Sequence, residues 1–97
     1  MKTPSVPENE AQRQQALDET GLLSSGADPR FDRITRLATE LFSVPIALVS
    51  LIDRNRQWFK SRQGLEATET PRDISFCGHA ILGSEPLVIE DALQDER

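Results

Sequence analysis

The run from Pro45 to Ile52, Pro-Ile-Ala-Leu-Val-Ser-Leu-Ile, constrains this chain more than any other stretch. Seven of its residues from Ile46 onward mix β-branched side chains with leucine, and only Ser50 is polar. A strand this apolar needs cover on both faces, which predicts a mid-sheet position. A central strand in turn needs more partners than one hairpin supplies. The functional expectations below lean on that placement.

The residues that follow supply the first partner. Asp53-Arg54-Asn55-Arg56 reads as a turn, and Gln57 to Arg62 alternates in the manner of a strand. The alternation predicts Trp58, Lys60 and Arg62 on one side and Gln57, Phe59 and Ser61 on the other. The pair is therefore an antiparallel hairpin, closed by Gly64-Leu65. Glu66 to Asp73 is polar, contains Pro71, and reads as a loop. Ser75 is placed to cap a short helix over 75–82, with Gly83 to stop it. Pro86 to Ile89 reads as a third strand, 86–89, and the acidic stretch from Asp91 to Arg97 as a solvated tail.

Two helices precede the hairpin. Residues 1–7, with Pro4 and Pro7, read as a flexible leader. Helix formers from Glu8 to Leu17 predict a helix over 8–20 that ends near Thr20-Gly21. Its apolar residues are sparse, so it must pack on a partner or on the next helix. Asp28-Pro29 is a strong start for a second helix over 29–43, since the Asp carboxylate can cap free N–H groups and proline suits the first turn. Phe31, Ile34, Leu37, Ala38, Leu41 and Phe42 recur on one side at helical spacing. That side is expected to lie on the sheet. Val44-Pro45 ends the helix, because the residue before proline avoids helical angles.

Ninety-seven residues make one small domain. Acidic residues outnumber basic ones 16 to 11, for a net charge of −5. A nucleic-acid partner is not expected, because phosphate binding needs clustered cations in excess. No run approaches the roughly 18–20 apolar residues of a membrane span, and the polar N-terminus has no signal-peptide core. One cysteine suits a reducing compartment, so a cytoplasmic protein is expected.

The order "PIALVSLID…RQWFKS…GL" followed by "TPRDISFCGHAIL" closely resembles the GAF domain, a small-molecule-sensing module of bacterial signalling proteins. The resemblance implies an α+β fold, an antiparallel sheet with the N-terminal helices packed on one face and a ligand pocket on the other. Glu66 to Leu82 would then be pocket wall. Residues 8–97 match the first part of such a domain, which would continue for roughly another 60–70 residues. The expected arrangement is therefore a partial GAF-like domain whose missing C-terminal half, or a homodimer partner, completes the sheet. The resemblance further implies a sensory role: a small-molecule ligand or a redox state would control an output domain, which in such proteins is a diguanylate cyclase, a cyclic-dinucleotide phosphodiesterase or a histidine kinase.

The ligand-pocket candidates are Trp58, Phe59, Lys60, Phe76, Cys77 and His79. Trp58, Lys60 and Arg62 could form an aromatic and cationic patch for an anionic or planar ligand, or a tryptophan under a helix with cations reaching past its rim. Cys77 and His79 stand two residues apart, which on a helix turns them about 200° from each other. They cannot share a metal, which would need about four ligands. Bilin-binding relatives of the fold carry an adjacent Cys-His pair, and this spacing does not match them. Free methionine sulfoxide reductases of the same fold use several cysteines, because a sulfenic acid must be resolved by a second thiol. No catalytic residue and no cofactor is therefore assigned. The competing expectation is a dimerisation module that binds no ligand, driven by an open sheet edge. A further alternative is a thiol enzyme resembling those reductases, whose Cys77 would need an external thiol.

Overall fold

A computed structural model describes residues 2–97. Helix α1 spans Glu10–Thr20 and helix α2 spans Pro29–Phe42. Strands β1, Ala47–Ile52, and β2, Arg56–Gln63, form the antiparallel hairpin. A third strand, β3, covers Glu69–Pro71 and pairs antiparallel with β2 through Trp58 and Glu69. A single turn of 3-10 helix over Arg72–Ile74 then leads into α3, Phe76–Ala80. The fold is α+β, as the resemblance implied.

Local chemistry sets the ends. Gly21 takes the left-handed conformation (φ 68°) that closes α1. Asp28 accepts the Arg30 N–H at 2.9 Å and caps α2, with Pro29 in its first turn. Ser75 accepts the Gly78 N–H at 3.0 Å and caps α3, which stops at Ala80 rather than Leu82. Gly64 is required at the end of the hairpin. Its φ is 77°, and a Cβ there would lie 1.9 Å from the Pro45 carbonyl oxygen.

The sheet order is β1-β2-β3, which corrects two expectations. The central strand is β2, and β1 lies at the rim, with no ladder partner on its outer edge among the described residues. Its residues are half-buried, and only Ile52 is fully so. Apolar content revealed how much cover β1 needs but not that it would find that cover within these residues. The third strand, in turn, is 69–71 and not 86–89. Residues 86–89 have no strand geometry, because β2 offers its free edge to the nearer segment. Phe59 N–H donates to the Thr68 carbonyl at 3.0 Å, and that bond starts the pairing.

A bulge breaks the expected alternation in β2. Val49 pairs with Ser61 and Ser50 with Phe59, so Lys60 is an extra residue. Lys60 and Ser61 consequently both reach toward α2 and the loop before it, instead of pointing to opposite faces.

Helix α2 packs on β1 and β2, but with only the margin of its apolar side, Phe31 and Ala38, half-buried. Its buried residue is Thr35, 1% exposed. Thr35 Oγ1 shares a 2.9 Å hydrogen bond with Ser61 Oγ and accepts one from Gln63 Nε2 at 3.3 Å. Ser61 Oγ donates to Asp32 Oδ1 at 2.6 Å. Ile34, Leu37, Leu41 and Phe42 are exposed, the last two by 75% and 74%. The leader is seated rather than loose. Pro4 is buried beside Gly78, and the Lys2 carbonyl lies 2.8 Å from His79 Nε2.

Candidate functional site

The bulge places the candidate site. By adding a residue to β2 opposite the loop that enters α2, it turns Lys60 inward, and the lysine is 7% exposed. Its Nζ donates to Ser25 Oγ and to the Gly26 carbonyl, both at 2.6 Å. The ammonium also lies 5.8 Å from the centre of the Phe31 ring, within cation–π range. A buried ammonium persists only when hydrogen bonds replace its water, and here a loop hydroxyl and a carbonyl do so.

Around Lys60 is a cleft of about 410 Å³, within the usual range for small-molecule sites. The loop Ser25–Ala27 forms one wall, Trp58 to Arg62 the floor, and Asp32 and Thr68 the ends. Arg62 is tied to the Leu65 carbonyl at 2.8 Å. The lining presents a tryptophan, hydroxyls, backbone groups and the Arg62 side chain, beside an ammonium already held by Ser25 and Gly26. Such a lining suits a small ligand with a flat ring and an anionic or strongly polar group. Asp32 narrows the choice, although Ser61 already occupies one of its oxygens.

The six predicted pocket residues separate into two groups. Trp58, Phe59 and Lys60 line the cleft. Phe76, Cys77 and His79 lie on α3, which packs against β1, and none of them lines it. A second hollow of about 500 Å³ adjoins the end of α3, formed by residues such as Val6, Asn9 and Leu82. It also excludes those three. Burial pushes the Cys77 thiol up, against a hydrogen bond with Ser50 that acts the other way. A thiol held protonated is a poor nucleophile. Among the described residues, no group of three or more His, Cys, Asp and Glu side chains is placed to hold a metal ion. No helix among the described residues is long and apolar enough to cross a membrane.

Residue-by-residue inspection of the sequence missed Ser25, Gly26, Asp32 and Thr68. The Ser24-Ser25-Gly26 break marked a loop, but nothing in it announced that a lysine 34 or 35 residues later would bond there. Glu66 to Leu82 was expected to be pocket wall, and of that stretch Thr68 meets the cleft.

Comparison with known proteins settles the family. The family model for the GAF domain matches residues 27–97, from the loop before α2 to the end of the chain. This chain belongs to the GAF family. Its three-stranded sheet, with α2 packed on β1 and β2, is part of a GAF fold. A cyclic di-GMP phosphodiesterase of Pseudomonas aeruginosa is 47% identical to it over all 97 residues. The chain spans 16% of that protein's length. This GAF sequence is thus a sensory and regulatory module of bacterial signalling. Helix α1 lies before the matched stretch, although the similarity to the phosphodiesterase includes it.

Proposed function

We propose that this chain is the sensory module of a cyclic di-GMP phosphodiesterase, in which a small ligand in the α2–β2 cleft sets the rate of an output domain. The observation that carries this reading is the 47% identity to such an enzyme along the whole chain. Among the three outputs implied by the sequence, the phosphodiesterase is the one a relative supports. The cleft at Lys60 and Trp58 supports a ligand that is flat and anionic. Mechanistically, the ligand must bind one conformation of the module better than another, since only differential affinity shifts a population.

The test is a chimera in which this chain replaces the matching segment of the Pseudomonas enzyme. Three versions are compared for hydrolysis of cyclic di-GMP in cell extract and after dialysis: the wild-type segment, Lys60→Met, and a flexible Gly–Ser segment. The expected result is a rate that differs several-fold between wild type and Lys60→Met before dialysis. Equal rates in all three versions under both conditions would sink the proposal.

A second reading has its own support. Ile34, Leu37, Leu41, Phe42 and Ile46 form an exposed apolar surface, as a ligand-free dimerisation module would require. Thermal melting separates the two. A ligand raises the melting temperature at fixed protein concentration, whereas a dimer module responds to its own concentration.

A further inference from the structure

Helix α1 is attached to the rest of the molecule almost without apolar contact. Its buried residue is Gln14, whose Nε2 donates to Asp53 Oδ1 at 2.8 Å. In the first turn, the Glu10 carboxylate lies between two guanidiniums. Arg13, one turn along, donates to its two oxygens at 2.8 and 3.0 Å. Arg72, 62 residues away, donates to the same two oxygens at 3.1 and 2.5 Å.

Arg72 is the unusual member. It is 5% exposed, and its Nη1 also reaches the Asp53 and Arg54 carbonyls in the hairpin turn at 3.3 Å. One buried side chain thus joins α1, the turn, and the segment leading to α3. Its backbone follows β3 directly, and three residues separate it from Thr68, which lines the cleft with Trp58. Trp58 and Glu69 are paired across the sheet. Any displacement of Thr68 to Pro71 therefore moves the anchor of α1.

We propose that Glu10, Arg13 and Arg72 form an ionic clasp that docks α1 reversibly, and that the state of the neighbouring cleft is passed to α1 through residues 68–72. The clasp stands on the geometry alone, whereas its control by a ligand rests on the sensory function proposed above. Because α1 has 11 residues and no apolar stripe, it has little helicity of its own once undocked. Release therefore melts it. Glu10 and Arg13 keep 23% and 19% of their side chains exposed, so salt screens that part of the clasp even though Arg72 is buried. Apolar packing in the hairpin is not weakened by salt. The holding force of α1 is therefore separable from that of the sheet.

Hydrogen–deuterium exchange of the full chain tests this without a ligand. Salt is raised from about 0.01 M to about 1 M, over which the screening length falls from about 30 Å to about 3 Å. Amides of Glu10–Thr20 are expected to exchange about tenfold faster at high salt, with those of β2 unchanged within about twofold, as local opening requires. Glu10→Gln is expected to give the fast rate at both salt concentrations. Arg72→Lys, which keeps the charge but loses the two-pronged contact, is expected to fall between them. Exchange in α1 that ignores both salt and Glu10→Gln would overturn the clasp, as would exchange that rises in step with β2. In the chimera, Glu10→Gln must also change hydrolysis. Should it free α1 but leave the rate untouched, the clasp stands and its part in passing the state of the cleft onward falls. The sensory function itself falls only if Lys60→Met is also without effect.

Discussion

Helices α1 and α2 dock on the same hairpin, and each does so against the apparent grain of its sequence. The first has no apolar stripe, yet it is held in place, by Glu10, Gln14 and their partners around the turn. The second has a clear apolar stripe, yet it meets β2 through Asp32 and Thr35, which bond to Ser61 and Gln63. Thr35 is about 100° around the helix from Ile34, so the helix is rotated by roughly that angle from the orientation its periodicity suggests. The contrast shows that amphipathic spacing measures how much apolar surface a helix must cover. It does not say which neighbour provides the cover. Fixed polar partners in a shallow interface can decide the orientation instead, because a buried hydroxyl or carboxylate left unpaired is costly.

The largest effect expected from this contrast is at Ser61. Ser61→Val would leave the Asp32 carboxylate and the Thr35 hydroxyl short of a partner in the α2–β2 contact. Urea denaturation should show a loss of about 2–4 kcal/mol. A loss below about 1 kcal/mol would mean that apolar packing, and not the polar set, holds α2.

Acid should loosen the docking of α1. Hydrogen bonds from Arg13 and then Arg72 hold the Glu10 carboxyl at about 2, below its ordinary 4.5. A depressed carboxyl contributes stability that is complete above about 4.5 and lost as pH falls through about 2. Protection of α1 amides, taken relative to the intrinsic exchange rate at each pH, should fall across that window and level off below it. Asp53, which accepts from Gln14, is also lowered: partial burial opposes this, but hydrogen bonds from the Arg54 N–H, Arg56 and Gln14 prevail. It works in the same direction as Glu10. If α1 protection survived below pH 2, the ionic account of its docking would fail.

The smallest effect is expected on the exposed stripe. Leu41→Gln should change the stability of the chain by no more than about 0.5 kcal/mol, as at other surface positions. A buried leucine cut back to alanine would lose about 2–5 kcal/mol. A large loss at Leu41 would show that the stripe is covered in solution, and sedimentation at rising concentration would show whether a second copy covers it.

Much of this molecule was legible from the residues in order. Asp28-Pro29, Gly21, Ser75 and Val44-Pro45 marked helix ends because capping and backbone restriction act over a few residues. The hairpin followed from an apolar run, a polar turn and an alternating run. The motif order from Pro45 to Leu82 pointed to the GAF family, which the match over 27–97 bears out. Trp58, Phe59 and Lys60 were named as pocket candidates from the alternating run, with Phe59 expected on the face opposite the other two, and the structure places all three along one cleft.

Other features depended on partners distant in the chain. Whether β1 lies at the rim or the centre is decided by which strands pair beside it, and the run Ile46 to Ile52 has the same composition in either place. The bulge at Lys60 shows only in the pairing, Val49 with Ser61 and Ser50 with Phe59, and the alternating run itself carries no mark of it. Phe76, Cys77 and His79 were grouped with the cleft by the resemblance, but the turn over Arg72–Ile74 carries them to β1 instead. Local order thus sufficed for elements, caps and family. Register, the facing of each helix and the reach of Arg72 to Glu10 came from long-range pairing of polar groups, whose strength depends on water being excluded by residues far apart in sequence.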